Sequence, residues 1–127
     1  MNEMVEDFLR YVRIDTQSKE GVTDRYPSTE KQKDLSRLLV KELEELNLTD
    51  VSMDKHGYVT GVLESNLNPE EEEKVPTIGF LAHVDTSPDV SGKDVKPLIH
   101  ETYEGGDIIL PADEHETITE EENPGLR

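Results

Sequence analysis

The segment GFLAHVDTSPD, residues 79–89, places a histidine and an aspartate directly after an apolar run. A hydrophobic core needs neither residue. Together they can serve a metal site: a neutral imidazole binds a cation through one nitrogen, and a nearby carboxylate accepts the N–H of the other, fixing tautomer and orientation. If the backbone at this point is extended, the side chains of His83 and Asp85 point the same way. Two residues is a short span for a direct hydrogen bond, so Asp85 has a second use, orienting a neighbouring ligand or a catalytic base. A plain turn also accounts for the pair, because Thr86, Ser87, Pro88 and Asp89 are turn formers. From spacing alone, His-x-Asp leaves both readings open.

The other polar clusters carry weaker signals. His115 lies in ADEHETITEE, but the zincin pattern needs a second histidine four residues on, where Thr119 stands. A solvated acidic loop explains that segment. His56 precedes Gly57 and reads as a turn residue, and His100 reads as a surface residue near a strand start. Asp15, Thr16 and Ser18 fit a turn after the first helix. Gly105-Gly106 is no phosphate loop, since no Gly-Lys-Ser/Thr follows.

The elements that must position His83 and Asp85 can be read from periodicity. Met4, Val5, Phe8, Leu9 and Val12 recur at helical spacing, with acids in the first turn, which predicts a helix over 3–13. A loop follows. Thr29 and Gln32 have capping-box spacing and open a second helix, with Leu35, Leu38, Leu39, Leu43 and Leu46 on one face. DVSMDK and YVTGVLES read as two strands around a tight turn at His56-Gly57. NLNPEEEEKVP reads as a surface connection. TIGFLAH, residues 77–83, is apolar without alternation, which predicts a central strand buried on both faces with His83 at its carboxyl end beside a crevice. A short strand is expected at 107–110, turning at Gly105-Gly106, and the acidic tail shows no sustained period. The fold class expected is therefore α/β.

Composition limits the functions available. The chain has 127 residues, with 30 acidic against 13 Lys and Arg, a net charge of −17. Phosphate backbones repel such a surface, which argues against nucleic-acid binding, while metal ions and substrate amines are attracted. The absence of cysteine rules out disulfides and thiolate metal sites. The amino terminus lacks the features of a signal peptide and no apolar run reaches membrane-spanning length, so a cytoplasmic protein without membrane contact is expected. Hydrophobic residues make up 32%, a thin supply for a core of this length.

The stretch IGFLAHVDTSPDVSGKDVKP resembles the peptidase T family, the tripeptide aminopeptidases among the dinuclear zinc exopeptidases. FLRYVRIDTQS at 8–18, PSTEKQKDL at 27–35 and YEGGDIIL at 103–110 extend the resemblance in the family's order. The resemblance implies helices packed on a mixed sheet, with residues 1–127 as the N-terminal part of a catalytic domain. It implies two zinc ions bridged by a water or hydroxide, His83 as a zinc ligand, and Asp85 as the active-site acid beside it. It also implies short peptide substrates, chiefly tripeptides, and a homodimer in the complete enzyme. The family's bridging aspartate, its Glu-Glu pair and its later ligands match nothing in these 127 residues. The lid or dimerisation domain has no counterpart here either. An N-terminal piece, inactive alone, is the expectation. The rival reading is a non-catalytic acidic interaction domain or a truncated gene product.

Overall fold

In the computed structural model, residues 2–126 are described. They form two compact units that divide between Lys96 and Pro97.

The first unit opens with α1, Glu3–Tyr11. Its end is set by Asn2, whose side-chain oxygen accepts from the Met4 amide at 3.1 Å, and by Glu3 and Glu6, whose charge suits the positive end of the helix dipole. Glu42 on the next helix accepts hydrogen bonds from the Arg10 guanidinium and the Tyr11 hydroxyl. Burial and that carboxylate raise the Tyr11 pKa.

The second helix, α2, spans Gln32–Glu45. It starts later than the Thr29 spacing predicts. Residues 29–31 form a turn, and the Gln32 side-chain amide reaches back to the hydroxyls of Thr29 and Ser28, each at 3.1 Å. The predicted pair is thus made, but as a side-chain bond before the helix. Leu35 is the buried apolar residue, at 6% exposure, and Leu38, Leu39 and Leu43 are half-buried beside it. Leu46 falls beyond the helix end and is 67% exposed.

The α2 face packs on an antiparallel hairpin made by β1, Thr49–Met53, and β2, Val59–Val62. The register is Thr49↔Val62, Ser52↔Thr60 and Met53↔Val59. The Asp54 carboxylate builds the turn by accepting from the amides of His56, at 2.8 Å, and Tyr58, at 2.9 Å. Gly57 completes it at φ 90, a conformation that costs any residue with a Cβ. Buried Ser36 donates to the Gly57 carbonyl at 2.9 Å and ties the turn to α2. His56 is thus the turn residue expected.

The NPEEEE connection contains one helical turn, α3, Pro69–Glu72. Asn68 caps it, accepting from the Glu71 amide at 3.0 Å, and Pro69 needs no amide partner there. Its glutamates sit at the favourable end of the dipole, so the run that reads as mutually repelling still supports a turn.

The expected central strand does not form. Residues 76–85 have no regular structure, and Phe80 and Leu81 are 95% and 98% exposed. A strand buried on both faces needs a paired neighbour and covering layers. The two sheets present are separate hairpins, and neither includes this segment. The expected mixed sheet is corrected for the same reason: among the described residues both sheets are antiparallel, and parallel pairing is confined to an isolated bridge between Gln17 and Thr86.

The second unit holds a hairpin of β3, Ile108–Leu110, and β4, Asp113–Ile118, with Ile108 opposite Ile118 and Ile109 opposite Thr117. β3 lies at the expected place. Gly105 and Gly106 precede it at φ 99 and 89. β4 goes beyond the expectation, because its charged residues mask the alternation that marks a strand. A 3-10 turn at Pro124–Leu126 ends the described residues.

Candidate functional site

His83 and Asp85 meet directly. Nδ1 of the ring lies 3.2 Å from Oδ1 of Asp85. An ionised carboxylate only accepts, so the contact suits a ring that carries its proton on Nδ1; in the neutral form of that ring Nε2 keeps its lone pair. The short spacing therefore does reach the orienting contact. The pair is open to water, the side chains being 86% and 42% exposed.

Two surface depressions in the second unit are lined by Tyr103, Gly106 and Leu126, and by Asp107, Glu121 and Pro124, with Glu120 shared. Neither contains His83 or Asp85. Among the described residues, no group of three His, Cys, Asp or Glu side chains is placed to hold a metal ion. His115 is exposed, as the solvated reading expects, but it lies in β4 and not in a loop; its amide donates to the Asp113 carboxylate at 3.1 Å.

What holds the pair is the loop that follows it. The Thr86 amide donates to the Thr16 carbonyl at 3.3 Å, and the Thr86 carbonyl accepts from the Ser18 amide at 3.0 Å and the Ser18 hydroxyl at 2.9 Å. The Gln17 side chain donates to the carbonyls of Pro88, at 3.1 Å, and Val90, at 3.0 Å. Lys31 Nζ, at the start of α2, lies 2.8 Å from the Asp15 carboxylate. That hydrogen bond from Lys31, with one from the Gln17 amide, holds the Asp15 carboxyl below its ordinary pKa. Thr16, almost fully buried, sits at the centre of this junction. The turn-former reading of 15–18 misses this role, although IDTQS is among the stretches that carry the family resemblance. The missing signal is a partner distant in sequence, which no local period reveals.

Comparison with known proteins supports the motif resemblance. Over all 127 residues the chain is 47% identical to the protein named Peptidase T of Alkaliphilus oremlandii (strain OhILAs), and covers 30% of that protein. It is 46% identical over 125 residues, 98% of the chain, to Peptidase T of Bacillus pumilus (strain SAFR-032), covering 29% of it. It is 53% identical over 108 residues, 85% of the chain, to Peptidase T of Shouchella clausii (strain KSM-K16), covering 25%. The chain thus resembles the N-terminal part of these relatives and spans about 30% of their length. No family model matches it. Among the described residues, no helix is long and apolar enough to cross a membrane.

Proposed function

We propose that residues 1–127 form the N-terminal part of the catalytic domain of a cytoplasmic aminopeptidase that removes the first residue of tripeptides. The observation that carries this reading is the 47% identity to a protein named Peptidase T along the whole chain. The His83–Asp85 pair lies within IGFLAHVDTSPDVSGKDVKP, a stretch that carries the family resemblance.

In this reading His83 would hold one of two zinc ions through Nε2, and Asp85 would fix the ring's tautomer and direction. Zinc, when bound, would supply Lewis acidity and an activated water. The donor set of this chain does not fit a complete centre. A catalytic zinc usually takes three protein ligands, and the described residues bring together one imidazole with its carboxylate. The remaining ligands, the general base and the homodimer contact belong, in this reading, to the part of the relatives' length that the chain does not span. The exposed apolar run at 77–81 accords with this, because bare apolar surface of that kind ordinarily marks a contact site.

A second reading has its own support. The His83 side chain is 86% exposed, as it would be in a non-catalytic acidic interaction domain.

A chimaera separates the two. The 125 residues of this chain that match the Bacillus pumilus protein replace its matched segment, and release of the N-terminal residue from a tripeptide is followed with zinc present. The aminopeptidase reading expects turnover, loss of nearly all of it in His83→Ala together with lost zinc, and a larger effect on turnover than on zinc content in Asp85→Ala. A folded chimaera whose activity is unaffected by His83→Ala would refute the assignment.

A further inference from the structure

We infer that Gln17 is a positioning residue for the His83–Asp85 pair, acting through the loop that follows it; as a statement about a site, this rests on the aminopeptidase reading above. All the polar groups of Gln17 are committed. Its amide N–H donates to Asp15 at 3.1 Å, and its carbonyl accepts from the Thr29 hydroxyl at 2.8 Å. The two side-chain N–H groups go to two carbonyls of one loop, those of Pro88 and Val90, at 3.1 and 3.0 Å. The side-chain oxygen faces Lys31 Nζ at 3.5 Å, and Lys31 is itself held by Asp15. The orientation of the amide is therefore fixed by chemistry at both ends: carbonyls require donors, and an ammonium requires an acceptor.

The geometry around the loop supports a role in placement. Residues 76–82, upstream of His83, make no hydrogen bond among the described residues, and a Cβ on Gly79 would meet nothing within 4 Å. Downstream, Thr86 is anchored on both its amide and its carbonyl to 16–18. Gly92 approaches the same junction, where a Cβ would lie 3.2 Å from the Thr86 hydroxyl and 3.6 Å from the Asp15 carboxylate. Asp85 adjoins the anchored residue. The side-chain bonds of Gln17 thus hold 88–90 beside the Thr86 anchor, and together with the bonds from 16 and 18 to Thr86 they set where the Asp85 carboxylate meets the His83 ring.

The deciding variant is Gln17→Glu. It keeps the shape but turns both donors into acceptors, so the carboxylate swings to Lys31 and leaves the Pro88 and Val90 carbonyls without partners. Amide hydrogen exchange and ring 15N shifts are read by NMR on this chain. In Gln17→Glu, the Ser18 and Thr86 amides are expected to exchange at least tenfold faster. The His83 ring should lose its excess of the Nδ1–H tautomer, while α2 amides keep their protection. Lowering the pH until the introduced carboxylate is protonated restores one donor and should recover part of the Thr86 protection, relative to wild type at the same pH. Gln17→Met removes the donors without adding charge; it should show the same loss without recovery, and it stands in if Gln17→Glu fails to fold. Unchanged exchange at Thr86 with an unchanged His83 tautomer would overturn the inference. So would protection lost equally in α2 and the loop in Gln17→Met. None of these readouts uses zinc or turnover, so an inactive chimaera would sink the aminopeptidase reading and leave this result standing.

Discussion

Leu35→Ala tests where the stability of the first unit resides. Leu35 is the buried apolar residue of the described chain, at 6% exposure. Burying a leucine side chain is worth about 1.5–3 kcal/mol, and truncating it to alanine in a closed core costs about 2–5 kcal/mol. The neighbours Leu38, Leu39 and Leu43 are only half-buried, so the space can partly collapse or admit water. The expected cost is therefore at the low end, about 2 kcal/mol. With a urea slope of about 1–2 kcal/mol/M for a small domain, the midpoint should fall by roughly 1–2 M. The control is Leu46→Ala, at 67% exposure, which should cost about 0.5 kcal/mol or less. Urea titration followed by far-UV ellipticity reads both. If the two variants lose the same stability, Leu35 does not mark a core, and the packing of α2 on β1–β2 described above is wrong.

Three further outcomes are expected. Gly57→Ala places a Cβ at φ 90 and 3.3 Å from Lys33 Cγ, and should destabilise the hairpin by about 1–2 kcal/mol in the same titration. The Asp15 carboxyl should titrate below the ordinary aspartate range by 13C NMR and move back toward it in Lys31→Met, the Gln17 amide bond remaining; because its folded pKa is depressed, its contribution to stability is present above the ordinary value and lost as pH falls through the folded one. An unchanged Asp15 titration in Lys31→Met would refute the pairing. Phe80→Ser with Leu81→Ser should leave the unfolding midpoint unchanged while lowering binding of a hydrophobic dye, since both side chains lie in solvent; a clear loss of stability would show that they are packed.

Local signals are the legible ones. The leucine period of α2, the turn chemistry around Gly57, and the strand after Gly105-Gly106 all depend on residues within a few positions of one another. The motif around His83 and Asp85 is legible as well, but the two-residue spacing argues against the direct contact that the two side chains make. The environment of the motif is not. An unbroken apolar run says that burial would be favourable, but the pairing and covering it needs must come from other segments, and within 2–126 none supplies them. β4 is hidden for the opposite reason: its backbone pairs with β3 while its sequence is largely polar, and hydropathy is blind to backbone pairing. Gln17 shows the third limit. A half-buried amide has no periodic signature, and its partners lie 71 and 73 positions away.

The bond between Ser18 and Thr86 joins residues 68 positions apart, so the chain between them is a closed loop. Closing a loop costs entropy that grows only as the logarithm of its length. Adding about twelve residues within the exposed stretch 63–76 would raise that cost by only about 0.1 kcal/mol. The length of that connection is therefore nearly free to vary. Related chains of quite different spacing between hairpin and histidine can hold the same loop in the same place, provided both ends of the closure are kept.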